Sequence, residues 1–253
     1  MKNIFFLSIF FLILYGYAQN NTFNKEQIEN INQLIKLFNE IDIDKISEKI
    51  QYPLQRKTPI PNIKNQTEFK QQFDEIFDPT LIKQIANSKI EQWSEVGWRG
   101  IMLDNGLIWL DGDGENIIAI NYETEKEIQL RKRLINKQKL ALYPSLRNFK
   151  NPMYRIQTEK YLIRIDELSN GKYRYTSWKT NQNEASKPDI ILNKGTIEYD
   201  GSGGNHSFTF LNGIYTYIVS IHLIHSGNAP DSTLEVMKGT KNILSQSGKI
   251  LTH

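Results

Sequence analysis

The sequence predicts an α+β fold in two successive halves, helices on a curved antiparallel sheet followed by an all-β sandwich or small barrel. Three observations lead there. Apolar residues recur at helical spacing behind capping residues as far as residue 86. After Ser88 the period shortens to strand-like alternation broken by Asn105-Gly106 and by Asp111-Gly112-Asp113-Gly114. From Tyr154 onward only short alternating segments and turn signals remain.

Asn24 and Gln27 stand three apart, the spacing of a capping box, and open an amphipathic helix over 24–40 with Ile28, Ile31, Leu34, Ile35 and Phe38 on one face. Asp44 can cap a shorter helix carrying Ile46 and Ile50. Tyr52-Pro53-Leu54 reads as extended and Pro59-Ile60-Pro61 as a stiff connection, because proline removes an amide donor. Asn65 and Glu68 repeat the capping-box spacing ahead of Phe69, Phe73 and Ile76. Asp78-Pro79 sets a cap before proline at the first helical position, with Leu81, Ile82 and Ile85 following. Then come hairpin strands over 98–103 and 107–110, joined by a tight turn at Asn105-Gly106, and a strand over 117–122.

These residues carry a resemblance. Asn65-x-x-Glu68-Phe69, Ile76-Phe77, Gly100-Ile101-Met102-Leu103-x-x-Gly106-x-Ile108-Trp109 and Ile118-Ala119-Ile120-Asn121-Tyr122 resemble exported bacterial domains of the NTF2-like, cystatin-like superfamily. The resemblance implies a cone-like α+β fold over 19–123 whose helices and bent sheet enclose a pocket. Some members are isomerases or cyclases, and many bind or scaffold.

Thr124 and Glu127 offer a third capping box, opening a charged helix to about Leu142 with Arg131, Lys132, Arg133, Lys137 and Lys139. It reads as a solvated connector, residues 124–153. The β-half, 154–253, has strands over 161–166 and 172–178 around Ser169-Asn170-Gly171. Shorter strands over 190–192 and 196–199 flank a turn at Asn193-Lys194-Gly195. Strands over 206–210, 214–224, 233–237 and 242–244 complete the set. The run from Gly213-Ile214-Tyr215-Thr216-Tyr217 to Leu234-Glu235-Val236 is similar to the periplasmic lysozyme inhibitors, although that family's Trp-x-Lys-Gly segment and cysteines are missing.

Lys2, the apolar run Ile4–Leu14 and small residues at Gly16 and Ala18 read as a signal peptide, residues 1–18, cut after Ala18. The run is short of the ~20 residues of a membrane span, and no later segment approaches that length, so no span is expected after removal of the signal. A periplasmic or secreted protein is expected. The chain of 253 residues has no cysteine, which excludes disulfides, a thiol nucleophile, thiolate metal ligation and a lipid-bearing cysteine. With 31 basic against 28 acidic side chains, nucleic acid is not the expected partner.

No arrangement of residues specifies catalysis, a metal or a cofactor. Asp111-Gly112-Asp113-Gly114-Glu115 begins like a calcium loop, but Asn116 and Tyr122 occupy the glycine and bidentate-glutamate positions, which leaves an acidic turn. Gly201-Ser202-Gly203-Gly204 lacks the Lys-Ser ending of a phosphate loop and precedes a strand. His222 and His225 are three apart, on opposite faces of a strand. Glu91, Glu95 and Asp104 are the carboxylates closest to a possible pocket of the first half. Trp93, Trp98 and Trp109 cluster around the hairpins as candidate ligand-binding residues. In the β-half the candidate interaction rim is Trp178, Ser202, Asn205, His206, Tyr215 and Tyr217. The expected function is therefore a non-enzymatic exported protein binding another envelope protein or a glycan. The alternatives are a pocket enzyme of isomerase or cyclase type and a lysozyme-inhibitor-like protein.

Overall fold

The structure, a computed structural model, describes residues 23–201, 203–223, 227 and 229–251, so the leader assigned to residues 1–18 lies outside the described residues. Helix α1 (Lys25–Glu40) starts with a complete capping box: Asn24 Oδ1 accepts the Gln27 amide and Gln27 Oε1 accepts the Asn24 amide, both at 2.9 Å. Its buried face is Ile31, Leu34, Leu37 and Phe38, with Ile28 left at the solvent edge. Helix α2 (Ile43–Glu48) is capped by Asp42, whose Oδ1 accepts the Lys45 amide at 3.1 Å, and not by Asp44. Helix α3 (Gln66–Ile76) is capped by Asn65, but Glu68 turns back to the Lys64 amide at 2.9 Å and so misses the reciprocal bond. Helix α4 (Pro79–Ala86) has the Asp78 cap and first-turn proline that its sequence predicts.

Strands β1 (Trp93–Glu95), β2 (Ile101–Leu103), β3 (Ile108–Leu110) and β4 (Ile117–Ile120) form an antiparallel sheet in chain order. The β2–β3 connection spans residues 104–107 in place of a two-residue Asn-Gly turn, with positive φ at Asp104 and Gly106. The Gly106 and Leu107 amides both donate to the Leu103 carbonyl, while Asn121 Nδ2 donates to Gly106 O at 2.7 Å and pins the wider loop. Asp111 is spent on its own turn, accepting from the Glu115 amide at 2.8 Å and from Asn116 Nδ2 at 2.8 Å. Helices and sheet close on a core in which Phe73 stacks on Phe77 with centroids 5.2 Å apart, and Phe38 and Phe69 pack around the same ring.

Helix α5 (Glu125–Ala141) is capped by Thr124, but its expected capping box is again half made. Glu127 is drawn away to Arg56 Nε at 2.7 Å, both side chains being largely buried. Nor is the basic face wholly solvated. Arg131 donates from Nε to Thr58 O at 2.8 Å and from a terminal nitrogen to Asn151 Oδ1 at 2.9 Å, tying the helical half to the first strand of the β-half.

That β-half is a closed eight-stranded antiparallel barrel with each strand beside its sequence neighbour. Its strands are β5 (Asn151–Thr158), β6 (Tyr161–Glu167), β7 (Tyr173–Lys179), β8 (Ile190–Tyr199), β9 (His206–Asn212), β10 (Tyr215–Ile221), β11 (Ser232–Lys238) and β12 (Lys241–Ile250). Gly248↔Thr158 and Ile250↔Ile156 close it, leaving no edge strand to template aggregation. Eight strands leave an interior that side chains can fill, and here Ile156, Ile163, Ile165, Tyr175, Phe208, Phe210, Val219 and Leu234 fill it.

One expectation fails within the barrel. Residues 190–199 form one continuous strand without a turn at Asn193-Lys194-Gly195. Gly195 faces inward because a Cβ there would lie 2.1 Å from Phe210 Cε1, so the glycine makes room for a ring.

The outer faces of β6 and β7 are covered by α5 and the segment after it, through Ile135, Leu142, Leu146, Phe149, Leu162 and Trp178. Beneath that cover Asp166 receives Arg164 Nε at 2.8 Å and an Arg174 terminal nitrogen at 2.6 Å. Both guanidiniums lie over the Phe149 ring. No helix among the described residues is long and apolar enough to cross a membrane.

Burial in the barrel pushes the Tyr154 phenol up to about 12 and raises Tyr175 as well. The folded state therefore holds these protons more tightly than the unfolded chain. Their stabilisation is full below about pH 10, the unfolded value, and is lost as pH rises toward 12. The melting temperature is expected to fall over that window, with phenolate absorbance rising in step with unfolding. Titration of every tyrosine with the fold intact would contradict this.

Candidate functional site

The alternation of buried and half-buried residues in β9 turns His206, Phe208 and Phe210 inward. Register pairs His206 with Tyr199 on β8 and Ile221 on β10, so these three meet at one end of the barrel. The His206 ring lies 5.6 Å from Tyr154, 5.4 Å from Tyr199 and 5.3 Å from Phe208, centroid to centroid. His206 is 7% exposed, whereas Tyr199 is 64% exposed and forms the outer wall.

The hydrogen bonding of His206 assigns its neutral tautomer. Nδ1 lies 2.7 Å from Gly204 O, and a carbonyl only accepts, so the neutral ring carries its proton on Nδ1. Nε2 is then a lone pair, and it is buried with no hydrogen-bond partner among the described residues. A buried acceptor without a donor costs about 1–3 kcal/mol, a condition that Thr176 Oγ1 and Ser232 Oγ share among the described residues.

Beside the ring is a recess of about 350 Å³, at the lower end of the ~300–1,000 Å³ of small-ligand sites. Glu198, Asp200, Asn205, Ser207, Ser220 and His222 line it together with Tyr199 and His206. Its charged lining is acidic, with neither lysine nor arginine. His222 Nε2 lies 3.2 Å from Thr233 Oγ1 and is held by that contact. Among the described residues no group of three His, Asp or Glu side chains could hold a metal. The chain matches no protein-family model, no curated protein and no solved structure.

Of the residues proposed from sequence for the rim, the structure brings Asn205 and His206 together here, and Ser202 falls outside the described residues. The others go elsewhere. Trp178 is fully buried under the α5 cover and donates from Nε1 to Ser186 O at 2.9 Å, because the outer face of β7 is an interior surface in this chain. Tyr215 and Tyr217 belong to the opposite end of the barrel; Tyr217 packs inward with its ring 5.5 Å from Tyr175.

The three tryptophans of the first half also separate. Trp93 is fully buried in the helix–sheet core and donates to Ser88 Oγ at 3.1 Å, so it cannot meet a ligand. Trp98, 71% exposed, and Trp109 share a shallow surface depression with Arg99, Ile118 and Asn121. Glu91, Glu95 and Asp104 are all exposed; Asp104 lines an open surface depression with Lys83, Asn87 and Gln92 and accepts from Gln92 Nε2 at 3.2 Å, and Glu91 and Glu95 do not join it.

Sequence reading missed Tyr199, Tyr154 and Glu198. Tyr199 carried a signal: it alternates with Ile197 immediately before the glycine-rich loop, just as His206 alternates with Phe208 after it. Antiparallel pairing across that loop puts both rings on one face.

Proposed function

We propose that this chain is an exported, non-enzymatic binding protein of the bacterial envelope that takes a saccharide in the recess at the barrel end. The observation that carries the reading is the buried Nε2 of His206, without a partner among the described residues, beside an exposed tyrosine ring. An acceptor lone pair and carboxylate oxygens require a ligand rich in O–H donors. The Tyr199 face suits the apolar face of a sugar ring, and the acidic lining disfavours an anion.

In this reading residues 1–18 are the signal that exports the chain, and 19–123 is an NTF2-like scaffold. Phe38, Phe69, Phe73, Phe77 and Trp93 pack in the helix–sheet core of the first half.

Calorimetry against cell-wall and capsular oligosaccharides, with the His206 imidazole followed by NMR, tests the proposal. Binding is expected to shift His206 and to weaken roughly tenfold or more in Tyr199→Ala, as for other stacked anchors. Binding of a saccharide with no response from His206 or Tyr199→Ala would remove this site. Turnover of a small substrate by the purified protein would overturn the non-enzymatic reading.

A further inference from the structure

The barrel end opposite the recess has its own surface chemistry. There the β9–β10 turn, Gly213-Ile214, and the β11–β12 turn, Gly239-Thr240, lie side by side, joined by the Gly239 amide donating to Ile214 O at 3.0 Å. Three large apolar side chains stand in solvent at this tip: Leu211 at 73%, Ile214 at 63% and Ile243 at 48% exposure. Leu211 pairs with Thr216, which pairs with Met237, and Met237 pairs with Asn242 beside Ile243. The register thus sets Leu211 and Asn242 at the two ends of one row across β9 to β12, with Thr216 and Met237 between them.

Lysines frame it. Lys238 and Lys241 pair directly across the second turn, and both are exposed. Lys194 is exposed on β8, the strand that pairs with β9, which carries Leu211. The two turns with their flanking strand ends contain no acidic residue, and Glu235, further along β11, accepts from Asn242 Nδ2 at 3.0 Å.

Apolar residues at a loop tip inside a ring of lysines match the two layers of an anionic bilayer: acyl chains below, negative headgroups around. We infer that this end of the barrel docks on an anionic phospholipid surface, with Leu211, Ile214 and Ile243 entering the interface and Lys194, Lys238 and Lys241 meeting the headgroups. A protein groove would have to supply acids at matching positions, whereas a lipid surface supplies negative charge at every position. The inference does not depend on the recess at the other end.

Co-sedimentation of the full chain with vesicles of phosphatidylcholine alone, and of phosphatidylcholine mixed equally with phosphatidylglycerol, tests it. Binding is expected to the mixed vesicles only, and to weaken with salt. Each lysine replaced by alanine should cost roughly fivefold, and Ile214→Ser about tenfold. All these side chains are exposed, so the variants should melt with the parent, which separates lost docking from lost folding. Equal binding to both vesicles, no binding to either, or binding indifferent to Ile214→Ser would overturn the inference. So would concentration-dependent self-association abolished by Ile214→Ser, which would assign the tip to a second copy of the chain.

Discussion

Asp166→Ala is expected to destabilise the protein by about 3–5 kcal/mol, the cost of stranding buried charge without its partner. Asp166 is fully buried and receives Arg164 at 2.8 Å and Arg174 at 2.6 Å, themselves only 1% and 4% exposed at the side chain. Removal of the carboxylate strips Arg174 of its ion pair and leaves Arg164 with Gln138 Oε1 at 3.0 Å and the longer contact to Glu184 at 3.5 Å. At about 2–4 °C per kcal/mol for a chain of this size, the melting temperature should fall on the order of 10 °C. A second variant separates charge from packing. Arg164→Met/Asp166→Leu/Arg174→Met removes all three charges and should be less destabilised than Asp166→Ala alone. It should not reach the parent, because Arg174 also donates to Leu146 O at 2.6 Å and Asn148 O at 3.2 Å. Thermal melts of the two variants decide. If the triple variant were the less stable, the charges would be net stabilising and the uncompensated-charge account would fail.

The triad explains why the barrel has two kinds of outer surface. On β6 and β7 the outward positions Leu162, Arg164, Asp166, Arg174 and Trp178 are buried, so these strands are covered on both faces. On β8 to β11 the outward positions include Glu198, Ser207, Ser220 and Thr233, paired across neighbouring strands. The helical half and its connector occupy one flank. The recess and the lysine-framed tip occupy opposite ends, because antiparallel pairing sends His206 and Ile221 to one end and Asn212 and Tyr215 to the other. A barrel docked by its tip would therefore hold the recess away from the surface.

Local signals were legible wherever the partner lies a few residues away. The Asn24 capping box, the Asp78-Pro79 start and the Asp111 turn depend on bonds that close within three to five residues. Reading by the same rule failed where a distant group competes. Thr124 promised a capping box with Glu127, but Arg56, far away in sequence, takes the carboxylate because its guanidinium pairs a full positive charge with it, whereas the Thr124 amide is neutral. Arg164 and Asp166 fall in the strand expected over 161–166, yet only the cover over β6 and β7 makes them an internal network. The candidate site divided along the same line. Asn205 and His206 were found by their loop, whereas Tyr154, contributed by β5, becomes their neighbour only when the barrel closes.

Gly195 is the sharpest case, and it carries the second large effect. Beside Asn193-Lys194 it has the composition of a turn, but its role is set by Phe210 on the next strand. An alanine Cβ would lie 2.1 Å from Cε1, 2.5 Å from Cδ1 and 2.9 Å from Cζ of that ring. The ring has little room to retreat, since Phe210 is 1% exposed and packs 5.5 Å from Tyr175. Overpacking of this kind costs about 1–3 kcal/mol, and Gly195→Val should reach about 3 kcal/mol or more. Gly112→Ala, where a Cβ meets nothing within 4 Å, should stay within about 0.5 kcal/mol of the parent. The decisive measurement is a double-mutant cycle by chemical denaturation. Phe210→Leu removes the ring atoms that Gly195→Ala strikes, so the double variant should lose about 1 kcal/mol or more less than the sum of the singles. A turn glycine would give additive losses instead, because its cost would lie in its own backbone and not in a side chain on the neighbouring strand.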